Sequence, residues 1–202
     1  MKKLFVTMAL AGFAASSFAQ GTVGAVGYSN TGKAIYGVKA SDPLSQANGD
    51  AADYSGRDKL AGTTHTAELW YQVGGGDWKA VSGSQKGFAT AAGAGLIKGG
   101  KTDIAGTTGG DLVNLQIRVW DNKGGTVTSW AAVLANNDVA RGMSGIISNY
   151  QLGGADANNT PIVQKGLQTV GLQSFGLYIV PEPSVIALGA LGLGALLLRR
   201  RK

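Results

Sequence analysis

The chain predicts an all-β fold: a single antiparallel β-sandwich domain, with a signal helix before it and a short hydrophobic helix after it. Three observations carry this expectation. Glycine supplies 33 of the 202 residues, which suits strands joined by tight turns. Short runs of alternating apolar and polar residues recur between those turns. No long amphipathic helical pattern is available to cover a sheet, and seven to ten short strands at this spacing favour a sandwich over a barrel. No fixed repeat appears, so a solenoid is not expected.

The elements follow in order. Thr22–Tyr28 and Lys33–Lys39 flank Ser29-Asn30-Thr31-Gly32 and read as a hairpin. Residues 40–64 are polar and rich in turn dipeptides such as Asp42-Pro43 and Ser55-Gly56, so a long surface loop is expected there. Thr66–Val73 reads as a strand, Gly74-Gly75-Gly76-Asp77 as a turn, and Trp78–Val81 as its partner. Phe88–Ala91 and Ala94–Ile97 are weaker candidates. The plainest hairpin runs Leu112–Trp120, turn Asp121 to Gly125, then Thr126–Leu134. Gly145–Gln151 and Leu167–Val180 complete the set, the latter apolar enough for a central position.

Side chains alternate faces along a strand. In the central hairpin this sets Leu115, Ile117 and Val119 on one face and Asn114, Gln116, Arg118 and Trp120 on the other. An odd-length loop aligns Trp130 with that second, polar face. Trp70 alternates in the same way with Glu68 and Gln72. Trp70, Trp120 and Trp130, with Arg118 offering hydrogen bonds, are therefore a candidate glycan-contact platform, since indole faces stack on sugar rings. The competing reading places these tryptophans beneath the 40–64 loop or in the second layer, because large aromatic side chains are mostly buried.

Catalytic chemistry finds little support, and a non-enzymatic protein is expected. His65 is the only histidine and reads as a surface residue rather than a general base. Asp50, Asp53 and Asp58 form a loose acidic group whose spacing fixes no geometry for glycoside hydrolysis and lacks the calcium-loop pattern. No catalytic residue, metal site or cofactor is assigned. Cysteine is absent, so there is neither a disulfide framework nor a thiol nucleophile.

The two ends differ from the body. Lys2-Lys3, an apolar stretch from Leu4 to Ala15 and the small residues Ser17 and Ala19 read as a signal peptide over 1–19, cut between Ala19 and Gln20 by signal peptidase. Residues 20–179 then form the folded domain and 180–202 a separate tail. In the tail, Pro181-Glu182-Pro183 bars a helix from running back into the domain. The uncharged run from Val185 to Leu198 is followed by Arg199-Arg200-Arg201-Lys202. At 1.5 Å per residue the run makes about 21 Å of helix, short of an ordinary bilayer core. Spanning would need local thinning and snorkelling of the terminal arginines, which should stay cytoplasmic.

That ordered set (proline-flanked glutamate, short Gly/Leu-rich helix, Arg-rich end) resembles the PEP-CTERM sorting signal of Gram-negative bacteria. The resemblance implies recognition by an exosortase acting near Pro181, Glu182 and Pro183, a transient stay in the inner membrane, and export to the cell surface or beyond, in a setting where exopolysaccharide is a possible partner. Leu60-Ala61-Gly62, Ala67-Glu68-Leu69-Trp70-Tyr71 and Gln116-Ile117-Arg118-Val119-Trp120-Asp121 are similar in order to uncharacterised proteins bearing this signal. That likeness implies a shared β fold and supplies no catalytic residue.

The formal charge of +6 belongs to the ends. Without the six terminal basic residues and Glu182, 12 basic and 11 acidic residues remain, a balance near +1. No nucleic-acid partner is expected from such a body.

Overall fold

The computed structural model describes residues 23–181. The signal peptide with its Ala19–Gln20 cut, Glu182 and Pro183, the segment from Val185 to Leu198 and Arg199–Arg201 lie outside the described residues.

The described chain is built mainly of strands. In order they are β1 (Val23–Tyr28), β2 (Ile35–Tyr36), β3 (Gly62–Val73), β4 (Lys79–Ala80), β5 (Lys86–Phe88), β6 (Gly100–Thr108), β7 (Leu112–Asp121), β8 (Arg141–Met143), β9 (Ile147–Gln151), β10 (Gly154–Ala155), β11 (Pro161–Ile162) and β12 (Phe175–Gly176). One short helix, α1, covers Trp130–Leu134. The largest sheet has β3 and β7 at its centre, running antiparallel from His65↔Asp121 to Val73↔Val113. β4 and β5 flank β3, while β8 and β9 flank β7. A second sheet pairs β1 with β6, also antiparallel.

The predicted alternation positions the core. Ala67, Leu69, Val113, Leu115, Ile117 and Val119 point inward and are buried. Val26, Tyr28 and Ile104 from the β1–β6 pair join them in one apolar cluster. Each such aliphatic side chain contributes roughly 1.5–3 kcal/mol by leaving water.

Four expectations are corrected. Lys33–Lys39 does not pair with β1; its β2 portion instead lies parallel to β12. Asn30 redirects the chain. Its buried amide donates to the Gly95 carbonyl and accepts from the Ile97 N–H, pulling the turn away from β1. The free flank of β1 is taken by β6, which the sequence reading did not anticipate.

Residues 40–64 are not simply a surface loop. Ala47, Arg57 and Leu60 are buried. Arg57 donates from Nη1 to the carbonyls of Gly37 and Leu177, and from Nη2 to the carbonyl and hydroxyl of Ser45. A buried cation costs heavily unless its donors are satisfied. Here three backbone carbonyls and the Ser45 hydroxyl take the Nη donors without a carboxylate partner, while Nε meets no acceptor among the described residues. The result is a clamp joining the segment to the last strand. Of the span Leu167–Val180, only β12 is a named strand, and Leu167–Thr169 is a 3-10 turn.

Thr126–Leu134 does not return as a hairpin arm. Both edges of β7 are occupied, by β3 on one side and by β8 and β9 on the other. Lys123, Gly124 and Gly125 adopt positive φ, which the two glycines permit without a Cβ clash. Ser129 then caps α1, its hydroxyl accepting from the Ala132 N–H. The segment folds across the outward face of the large sheet.

Candidate functional site

The outward face of the central strand pair holds the polar row expected from the sequence. Thr66, Glu68, Trp70 and Gln72 of β3 stand opposite Trp120, Arg118, Gln116 and Asn114 of β7. Most of these groups satisfy one another. Asn114 donates to the Gln72 side chain at 3.0 Å, and Gln116 donates to the Ser144 carbonyl. The Glu68 carboxylate is buried and accepts from Trp70 Nε1 at 2.7 Å and from Gln85 Nε2 at 2.9 Å.

Arg118 occupies the middle of the face. Its Cζ lies 3.8 Å from the Trp70 ring centroid, 5.3 Å from that of Trp130 and 5.9 Å from that of Trp78. The positive guanidinium is attracted to the negative faces of these rings. Nε donates to the Gln116 side-chain Oε1 at 3.1 Å. No described residue accepts from the two Nη groups, and the side chain is only partly buried. Desolvation among the indoles pulls its pKa below the usual arginine value, while the charge of Glu68 opposes that shift.

The expected platform is altered in membership. Trp120 is fully buried and cannot reach a sugar. Its Nε1 donates to the Val127 carbonyl at 2.9 Å, and it packs edge-on against Trp130 with Val127, Val133 and Val139 around them. Trp130 is itself buried, at 6% exposure, and serves as a wall beside Arg118. The face assignment of Trp120 was right, but α1 and its approach cover that end of the sheet. Trp70 and Trp78 stay partly exposed.

Trp78 was missed, although hairpin parity contains it. β4 pairs Trp70 with Ala80 and Tyr71 with Lys79, so Trp78, two residues before Ala80, shares the Trp70 face. Glu68 was missed as a partner because its buried carboxylate depends on Gln85, which arrives from the chain just before β5.

The acidic residues of the 40–64 segment do not converge. Asp50 pairs with Lys33 and accepts from the Ser174 N–H at 3.0 Å. Asp53 accepts from the N–H and hydroxyl of Ser55. These bonds lower both carboxyl pKa values. Asp58 lines a different cleft with His65, Asp121, Lys123 and Asp138. There the His65 ring contacts the Thr64 hydroxyl at 3.0 Å, and burial lowers its pKa against the opposing pull of Asp121. Among the described residues no group of His, Cys, Asp or Glu is arranged to hold a metal ion.

No family model, curated protein or solved structure matches the chain.

Proposed function

We propose that this chain is an exported surface or matrix protein, sorted by an exosortase-type system, whose body is a β-sandwich that binds polysaccharide without catalysing a reaction. The sandwich reading is supported by the single apolar cluster shared between the β1–β6 pair and the large sheet. One observation supports the binding reading above all. Arg118 is framed by Trp70, Trp78 and Trp130, yet its Nη groups meet no acceptor among the described residues. A polar, planar donor set beside partly exposed indoles suits a sugar, which offers hydroxyls at its rim and C–H faces to aromatic rings.

The sorting reading is supported by how the described chain ends. Tyr178 and Ile179 make backbone bonds to Arg141 and Pro43, whereas Pro181 is exposed. A cut beyond Pro181 would leave β1 to β12 of the described residues in place.

The test of binding uses protein recovered from the cells that make it. Polysaccharide pull-down should retain the wild type and lose most of a Trp70→Ala, Trp78→Ala double variant that keeps the wild-type circular dichroism. Undiminished retention of that variant would remove this face as the site. A pull-down that retains no polysaccharide would remove the binding function.

A further inference from the structure

Arg118 is a cation without a salt-bridge partner among the described residues. Its cross-strand neighbour is Glu68, but both carboxylate oxygens of Glu68 already accept, from Trp70 and Gln85. No salt bridge to Arg118 occurs among the described residues. Nε is engaged by Gln116, so the part of the guanidinium left without a protein acceptor is the Nη pair. The body as a whole is close to neutral, and diffuse attraction cannot account for a cation recessed among three indoles.

Resting on the polysaccharide reading above, we infer that the bound sugar chain is acidic, a uronate-bearing polysaccharide whose carboxylate closes on the Nη edge of Arg118. A carboxylate presents two coplanar oxygens that match a guanidinium fork, and such charge-assisted bonds are stronger than neutral ones. The indole frame lowers the local dielectric and raises the strength of that pair over its value in water. Trp70 and Trp78 supply the adjoining ring surface. Selectivity for the acid follows from the same arrangement, because an uncharged sugar leaves the desolvated cation uncompensated.

A second basic region sets the control. Lys86, Lys98 and Lys101 line a separate cleft with Ser82, Thr102 and Asp103, and Lys101 lies 3.4 Å from Asp103. Exposed lysines of this kind attract any polyanion and are screened by salt.

The experiment measures binding of the full protein to polygalacturonate, to the same polymer fully methyl-esterified, and to dextran. The wild type should bind the acid form at least ~10-fold more tightly than the ester, the effect of losing one charge-assisted contact. Arg118→Lys keeps the charge and removes the fork, and Arg118→Gln removes both; each should abolish the preference for the acid while a Lys86, Lys98 and Lys101 triple alanine variant retains it. Equal binding of acid and ester would overturn the inference and leave the polysaccharide reading standing. Acid preference that survives both Arg118 variants but not the lysine variant would also overturn it, by moving the site to the lysine cleft. Failure to bind any of the three polymers would sink both readings.

Discussion

Glu68 and Arg118 face each other across the central strand pair, yet the carboxylate turns to Trp70 and Gln85. Opposite charges placed this way ordinarily pair. Here the indole N–H and the amide hold Glu68 down in the sheet, and the guanidinium sits over the Trp70 ring with Cζ 3.8 Å from its centroid. Glu68 therefore acts as a positioning residue for Trp70. Four expectations follow from the structure and the proposed function.

Trp120 and Trp70 should separate stability from binding. Trp120 is fully buried beneath α1 with its Nε1 bonded, so Trp120→Ala should cost about 3–5 kcal/mol. Trp70→Ala, at a partly exposed position, should cost less and act mainly on ligand retention. Urea unfolding of both variants checks this, and equal losses would contradict the layering.

Arg57→Met should loosen the end of the domain. The change removes four donor contacts that join Gly37, Ser45 and Leu177. Losing hydrogen bonds to a buried charged group costs about 3 kcal/mol, less than the sum of the individual bonds because the carbonyls partly rehydrate. Hydrogen exchange should accelerate first at residues 175–179 and 43–47. Uniform acceleration across the sheet would point to a global effect instead.

Two pH windows are expected. His65 has its pKa lowered by burial in the folded state, so the unfolded chain binds the proton more readily. Stability linked to His65 is complete above its unfolded value near 6.5 and falls as pH drops below it. Asp50 and Asp53 have lowered folded values through their hydrogen bonds. Their contribution is present above an unfolded pKa of about 3.9 and is lost as pH falls further. Melting temperature measured from pH 8 to 2 should show both declines, and His65→Gln should flatten only the upper one.

Replacing Pro181, Glu182 and Pro183 together by alanine should leave the protein in the inner membrane without altering the folded body. The last backbone bonds of the described domain belong to Tyr178 and Ile179, so the melting temperature should stay unchanged. Cell fractionation checks the location. Normal release of the variant would contradict the sorting proposal.

The strand faces were legible because period-two alternation is a local property. Leu115, Ile117 and Val119 lie inward and Arg118 outward, as their spacing dictates. Pairing partners were less legible, because β3 meets β7 across the intervening segment 74–111 and local turn chemistry does not encode that choice. The turn at 121–125 had hairpin composition, but a hairpin needs a vacant strand edge, and β8 and β9 remove it. Of the site, Arg118 and Trp70 could be read from parity, and Trp78 from the same rule applied to β4. The burial of Trp120 and Trp130 could not, since it depends on α1 crossing from another layer. Arg57 gave no signal because all but one of its acceptors are backbone oxygens, which every residue possesses.

The clamp at Arg57 bears on how the domain withstands tension. A force drawing on Pro181 reaches the Ile179–Pro43 and Tyr178–Arg141 backbone bonds first, and then the short parallel contact between β12 and β2. The guanidinium ties both sides of that contact through Leu177 and Gly37. Load is thus shared between β8, at the edge of the large sheet, and the 37–57 segment, so a tethered molecule would yield at its margin before β3 and β7 part.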